Sequence, residues 1–220
     1  MQESDIPAFA AMDCAAMANW GLAKAMDQAS TGGEPRQQLV ERMTRKGFRN
    51  DDENAWLIVT DTDADNALVA GALWTFQYEE AEQKLNGDVP APAAEVADKE
   101  QLKENKAPQY PTVMAAMAAH GLAFRQQFVG TKPNAKLHIL VSHPEWQRRG
   151  AGSMLVQWGC EKADEHGLMG VLMASEAGLG LYQKHGFVVV HEHELNLRPY
   201  GVDETELRRG MIREARPRKA

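Results

Sequence analysis

Residues Gln147-Arg148-Arg149-Gly150-Ala151-Gly152 join an apolar run, Leu137 to Val141, to an amphipathic pattern that begins near Gly150. The run reads as a strand, Pro144 breaks it, and the spacing after Gly150 reads as a helix. Two glycines let the backbone turn tightly and bring its N–H groups close to an anion. The positive end of the helix dipole and two arginines add favourable charge, so the junction is suited to holding phosphate. A glycine pair alone would carry little weight; here a strand, a break and a helix surround it in the right order.

Downstream, Leu168 to Ala174 reads as a buried strand, followed by Ser175-Glu176-Ala177-Gly178-Leu179-Gly180-Leu181-Tyr182-Gln183-Lys184-His185-Gly186-Phe187. Over Leu137 to Val190 this arrangement resembles the GNAT N-acetyltransferase superfamily, and from Ile6 to Phe128 the likeness is loose. The resemblance implies an α/β (α+β) fold: a central mixed, mostly antiparallel, splayed sheet flanked by helices. It implies acetyl-CoA as cosubstrate, its pyrophosphate cradled by Gln147, Arg148, Arg149, Gly150, Ala151, Gly152 and Ser153. It also implies that the pantetheine arm pairs with the strand before the bend, at Leu140 and Val141. Ser175 stands where many members carry an Asn that touches the cofactor, and its hydroxyl can still donate a hydrogen bond. Tyr182 matches the tyrosine that many members place beside the thioester sulfur, where a phenol can donate to the departing thiolate.

The chain has 220 residues, of which 44% are hydrophobic, enough for one well-packed domain. We expect one domain over residues 1–200, with an insertion at about 79–111 and a basic C-terminal tail, 201–220. No apolar run is long enough to span a membrane, and the start Met1-Gln2-Glu3-Ser4-Asp5 lacks the features of a signal peptide, so a cytoplasmic protein is expected. Cys14 and Cys160 are too few for a disulfide framework. The net charge of −7 is unevenly spread, because the last 13 residues hold six basic side chains against one acidic. An acidic body argues against nucleic acid and suits a small cationic substrate. The tail has no aromatic residues to stack on bases, and reads as a solvated end.

Ser4-Asp5-Ile6-Pro7 starts a helix predicted to run to about Met26. Gly32-Gly33 breaks the chain before a second helix, Pro35 to Lys46, with Leu39, Val40 and Met43 facing inward. Trp56 to Thr60 and Ala67 to Phe76 flank the turn-forming residues 61–66 and read as an antiparallel hairpin. Family members usually open with a strand ahead of the first helix; here that strand is expected to be reduced or missing, exposing the next strand's edge. The carboxylate-rich and proline-rich stretch 79–111 reads as an ordered helical insertion or a mobile lid. Thr112 to Phe128 places Val113, Met117, His120, Phe124 and Phe128 at helical spacing, with His120 read as a structural histidine. Phe187 to Leu197 is predicted to close the sheet as a long strand.

Acetyl transfer needs an oriented donor, an unprotonated amine and relief for the leaving thiolate. Tyr182 is the first candidate for the last role. His138, on the strand before the bend, is the leading candidate base, with His143, Glu79 and Glu80 as alternatives. Trp74, Phe76 and Tyr78 alternate along one strand face, and read as core or as the wall of an acceptor site. His191-Glu192-His193 lacks a third ligand of convincing spacing, so no metal is expected. The glycine loop lacks the third glycine of a dinucleotide fingerprint and the Gly-Lys-Ser/Thr of a P-loop, and no nucleophile elbow is present. The expectation is an N-acetyltransferase for a small primary amine, monomeric or homodimeric. A protein acetyltransferase and a non-catalytic acyl-CoA-binding module are the alternatives.

Overall fold

The computed structural model describes residues 1–29, 34–49, 52–80 and 110–216. Its elements are α1 Ile6–Met17, α2 Gly21–Ala29, α3 Arg36–Gly47, β1 Asn54–Asp61, β2 Ala67–Gln77, α4 Val113–Phe124, β3 Asn134–Ser142, α5 Ala151–Glu165, β4 Met169–Ala174, α6 Glu176–Lys184, β5 Val188–Asn196 and β6 Thr205–Arg213. The six strands form one sheet in the order β1-β2-β3-β4-β6-β5. Every neighbouring pair is antiparallel except β3 and β4.

That parallel pair is short, and its shortness shapes the molecule. β3 meets β4 only from Asn134↔Met169 to Leu137↔Leu172, although β3 stays paired with β2 as far as Ser142. At the point of separation the β2–β3 register slips: Leu73 faces Ile139 and Trp74 faces Leu137, leaving His138 as an extra residue. Such a bulge bends its strand and increases the local twist. Here it turns β3 away from β4, so the edge of His138 to Ser142 on that side has no strand partner among the described residues.

Helices cover both faces. On one, Phe9 and Met12 of α1 pack with Trp56 and Val141. On the other, Leu155, Val156 and Cys160 of α5 pack with Trp74, Leu137 and Leu172. Trp74 is fully buried, and its indole Nε1 donates to the Leu155 carbonyl at 3.3 Å, so its one polar atom is satisfied. Removing side chains of this size from water contributes roughly 2–3 kcal/mol each. Phe76 is equally buried and stacks on Trp74, which assigns this pair to the core rather than to an acceptor wall.

Several expectations are corrected. The helix predicted to reach Met26 is two helices, α1 and α2, broken at Ala18-Asn19-Trp20. Apolar spacing continues across the break, but Asn19 and Gly21 are weak helix formers and the chain turns there. In α3 the Met43 side chain is 48% exposed and Thr44 is buried in its stead. The largest correction concerns 201–220, read as a basic tail. Thr205–Arg213 is a strand lodged between β4 and β5, so β5 forms the sheet edge rather than its closure. Two of its three arginines form ion pairs: Arg213 meets Asp164, and Arg209 meets Glu176 and Glu192.

No strand precedes α1 among the described residues; a one-turn 3-10 helix, Glu3–Asp5, stands there. The Met1 ammonium donates to the Trp56 carbonyl at 3.2 Å, covering part of the β1 edge. The hairpin of β1 and β2 and the helix after Thr112 form as predicted, Thr112 capping α4 by accepting from the Ala115 N–H at 3.1 Å. The Gly32-Gly33 break and all but the ends of 79–111 lie outside the described residues.

Candidate active site

The bend after β3 is held by its own side chains. His143 Nδ1 accepts from the Glu145 N–H at 3.3 Å, and Gln147 Nε2 donates to the Ser142 carbonyl at 3.3 Å. Arg149 lies over the Trp146 ring, 4.6 Å from its centroid. Arg148 takes φ +64° and Gly150 φ +97°. The Gly150 value lies in a region that side-chain-bearing residues rarely adopt, which is why glycine stands there. No side chain caps α5 at Gly150. The N–H groups of Ala151, Gly152 and Ser153 therefore have no acceptor from within the helix, and the dipole adds positive potential at that spot.

Gly152 provides the close approach. A Cβ there would lie 3.4 Å from Ser142 Oγ and 3.7 Å from Leu181 Cδ2, ordinary contact distances, so a side chain would occupy the space between β3, α5 and α6 without clashing with the protein. Ser153 does not offer its hydroxyl to an anion; its Oγ lies 2.8 Å from His185 Nε2 and ties the first turn of α5 to the end of α6. Backbone amides, two arginines nearby and an uncapped helix fit a diphosphate. The unpaired edge from His138 to Ser142, which includes Leu140 and Val141, runs up to that bend. An extended, amide-bearing chain could add there as a strand does.

Tyr182 is in α6, 9% exposed, packed edge-on to Phe187 at 6.2 Å. Burial pushes its pKa up to about 12, against the opposing influence of the Arg208 charge. The phenol is thus fully protonated near neutral pH and available as a hydrogen-bond donor. Ser175, half-buried, is the residue before α6 and follows Ala174, the last residue of β4.

His138 projects from the bulge. Water reaches the ring, yet the surrounding protein, then Lys136 and Arg125, push its pKa well below the usual imidazole range. It is neutral near pH 7, but a depressed pKa also makes it a weak proton acceptor, which counts against it as the general base. His143 is occupied in shaping the bend. Glu79 and Glu80 are exposed beyond Gln77, which pairs with Asn134 at the far end of β3 from the bend. The structure does not bring them to Tyr182.

A second polar group lies at the end of β4 and was not anticipated as a site. Arg208 of β6 is 8% exposed, with its guanidinium carbon 5.3 Å from the centroid of the Trp20 ring. His193 faces Arg208 across the β5–β6 register and stacks on His120, centroids 4.1 Å apart and planes at 10°. Glu206 accepts from the Leu22 N–H at 2.8 Å. Burial raises its pKa, with the Leu22 N–H and the Arg208 charge opposing. Among the described residues no group of three or more His, Cys, Asp or Glu is arranged to hold a metal ion.

Burial, then the neighbouring His120, His191 and Arg208, push the His193 pKa down to about 3 from 6.5. Below pH 6.5 the unfolded chain binds the proton that the folded chain refuses. The stability linked to this neutral ring is complete above the unfolded pKa and is lost as pH falls towards the folded value. His193→Phe is expected to flatten the loss of stability between pH 7 and pH 5 by roughly 1–2 kcal/mol. Denaturant midpoints at the two pH values measure it, and an unchanged pH slope would remove His193 as the source.

The sequence profile of the acetyltransferase (GNAT) family matches residues 24–187. No curated protein matches the chain in sequence. Among solved structures, the arylalkylamine N-acetyltransferase 2 of Aedes aegypti superposes with a TM-score of 0.65 at 14% identity, covering 98% of this chain and 97% of that one. A histone acetyltransferase and related acetyltransferase of Corynebacterium glutamicum gives 0.57 at 16% identity, covering 100% and 96%. The ribosomal-protein-S18-alanine N-acetyltransferase of Escherichia coli gives 0.50 at 12%, covering 100% and 93%. At these identities the superpositions show a shared fold. With the profile covering most of its length, the chain belongs to the acetyltransferase (GNAT) family. The acceptors named for these three structures range from an arylalkylamine to proteins, so the fold leaves the acceptor open.

Proposed function

We propose that the protein transfers an acetyl group from acetyl-CoA to a primary amine of a small molecule by direct attack within a ternary complex. The observation that carries this reading is the continuous track from the free edge of β3 to the uncapped start of α5, with Tyr182 on the helix tied to that start. When bound, acetyl-CoA supplies an activated thioester. Amides of Ala151 to Ser153, with Arg148 and Arg149, hold the diphosphate; backbone at Leu140 and Val141 holds the arm; and Ser175 is placed to donate one further bond.

The acceptor nitrogen, once deprotonated, forms the new C–N bond as the C–S bond breaks. Tyr182 donates a hydrogen bond to the sulfur as its charge develops. Because the phenol pKa is about 12 while a thiol has one near 8.5, Tyr182 stabilises the thiolate without giving up its proton completely. The amine's proton leaves by way of solvent or a carboxylate, since the one imidazole on the β3 edge, His138, is a weak acceptor.

Release of free thiol from acetyl-CoA across polyamines, aminosugars, arylalkylamines, amino acids and peptides tests the reading. Small-amine turnover supports it; turnover of peptides alone would redirect it to a protein acetyltransferase; binding of coenzyme A without any turnover would leave a binding module. Tyr182→Phe is expected to lower kcat about tenfold, the worth of one hydrogen bond to a charged atom, with the affinity for coenzyme A unchanged. An unaltered kcat would remove Tyr182 from the mechanism.

A further inference from the structure

Arg208 is a buried cation that no described carboxylate meets in an ion pair, although the charge of Glu206 acts on it. Its Nη1 has no hydrogen-bond partner, and the guanidinium forms no ion pair with a described residue. Glu206, two residues away on the same face of β6, accepts from the Leu22 N–H and acts on Arg208 only through its charge, leaving Nη1 without a partner among the described residues. The Nδ1 of His193, the residue opposite Arg208, is likewise buried and unpartnered. Burying one unpaired charge costs several kcal/mol, and an orphaned polar atom beside it adds to that cost. Two such atoms in register, on neighbouring strands, are the signature of a polar group that arrives from outside.

Their location says which molecule brings it. Ala174 pairs with Arg209, so Arg208 is level with Ser175, the residue that begins the α6 segment carrying Tyr182. The Arg208 charge also acts on the Tyr182 phenol. The orphaned atoms are therefore buried level with the start of α6 and within the electrostatic reach of Tyr182, on the opposite side of β4 from the β3 edge.

We propose that Arg208 and His193 form a carboxylate-binding subsite, and that the acceptor is an amino acid whose carboxylate rests there while its amine is acetylated. This rests on the acetyl-transfer reading above. A guanidinium presents paired N–H donors that match a carboxylate, and Trp20 beneath it fixes its plane. A single negative charge suits the site better than a phosphate dianion, because Glu206 lies alongside. In its Nδ1–H tautomer His193 donates to the same carboxylate.

The test is thiol release by the wild-type protein with matched acceptors: amino acids, their carboxamides and their decarboxylated amines, such as phenylalanine, phenylalaninamide and phenethylamine, or lysine and cadaverine. The expected result is a kcat/KM for at least one amino acid that exceeds both of its analogues by about tenfold or more, the range for hydrogen bonds to a charged group. Arg208→Met is expected to abolish that preference through KM for the amino acid, leaving KM for acetyl-CoA unchanged, and Arg208→Lys is expected to restore part of it. Equal or better turnover of the amides and amines by the wild type would overturn the subsite while leaving acetyl transfer standing. No thiol release with any acceptor would overturn both. The wild-type comparison holds even if Arg208→Met fails to fold.

Discussion

Asp164→Ala is expected to destabilise the protein by about 2–3 kcal/mol, below the cost for a fully buried ion pair because the Asp164 side chain is 21% exposed. Both carboxylate oxygens of Asp164 accept from Arg213, at 2.7 Å each, and one accepts also from the Arg216 N–H at 2.7 Å. Arg213 is 4% exposed, and its Nε donates to the His185 carbonyl at 3.0 Å. One carboxylate near the end of α5 thereby fastens the end of β6 and, through Arg213, the end of α6. Burial alone would raise the Asp164 pKa, but the hydrogen bonds and charges of Arg213 and Arg216 outweigh it and hold the carboxyl low. The pair therefore persists through the neutral range and is lost only in acid, below the ordinary carboxylate pKa. Removing the carboxylate leaves the buried Arg213 guanidinium with its Nε bond to the His185 carbonyl but without its anionic partner. Denaturant midpoints measure the loss. Replacing both partners, as Asp164→Leu with Arg213→Met, should recover most of it, because no unpaired charge remains. A single variant as stable as the wild type would show that water reaches Arg213.

The same pair explains why the sheet was only partly legible. Six basic residues near the chain end read as a solvated arm, because charged side chains are rarely buried unless paired. The ion-pair partners of Arg209 and Arg213, namely Asp164, Glu176 and Glu192, are on α5, α6 and β5, and nothing local announces that they converge. A signal was present: Leu207, Met211 and Ile212 within a short run after the turn at Gly201, following a long strand, is what the second half of a hairpin looks like. The break between α1 and α2 was hidden for the opposite reason. Apolar spacing continues through it, so period alone favoured one helix, and the weak helix formers Asn19 and Gly21 were the clue.

Legibility of the site divides along the same line. Gly150, Gly152 and the arginines are contiguous, and their chemistry follows from one bend, so the anion cradle proposed above can be argued from the sequence alone. The role proposed for Tyr182 likewise rests on a contiguous motif. The group formed by Trp20, His120, His193, Glu206 and Arg208 draws on four separate stretches of chain and exists only because β6 inserts between β4 and β5. Once that strand is taken for a tail, its side chains cannot be placed beside the histidines. His138 was placed on the correct strand, but its depressed pKa arises first from the protein packed around it and then from Lys136 and Arg125. Lys136 is two residues away on the same strand, whereas the packing and Arg125 are not legible in the strand pattern.

Gly150→Asp is expected to weaken binding of coenzyme A about a hundredfold, close to 3 kcal/mol, while leaving the fold nearly as stable. Two effects add. At φ +97° an aspartate is strained, at a cost of order 1–2 kcal/mol that the bound and free states share unless the loop relaxes on losing its ligand. The second effect acts on the ligand directly. An aspartate at the N-cap accepts hydrogen bonds from the helix's own first amides, so its carboxylate would occupy the N–H groups of Gly152 and Ser153 and place a negative charge where the diphosphate belongs. Such capping stabilises a helix by about 0.5–2 kcal/mol, which offsets the backbone strain and keeps the variant folded. Apart from its own chain neighbours, nothing among the described residues lies within 4 Å of a Cβ built at Gly150, so collision with the rest of the protein is not the cause. Gly150→Ala separates the contributions, since it carries the strain without the carboxylate and should lose far less affinity. Calorimetric titration with coenzyme A, and with a truncated pantetheine analogue that lacks the diphosphate, provides the decisive comparison. The full ligand should suffer and the truncated one should not. If both weaken equally, the loss reflects a displaced β3 edge, and the amides at this bend do not hold the phosphates.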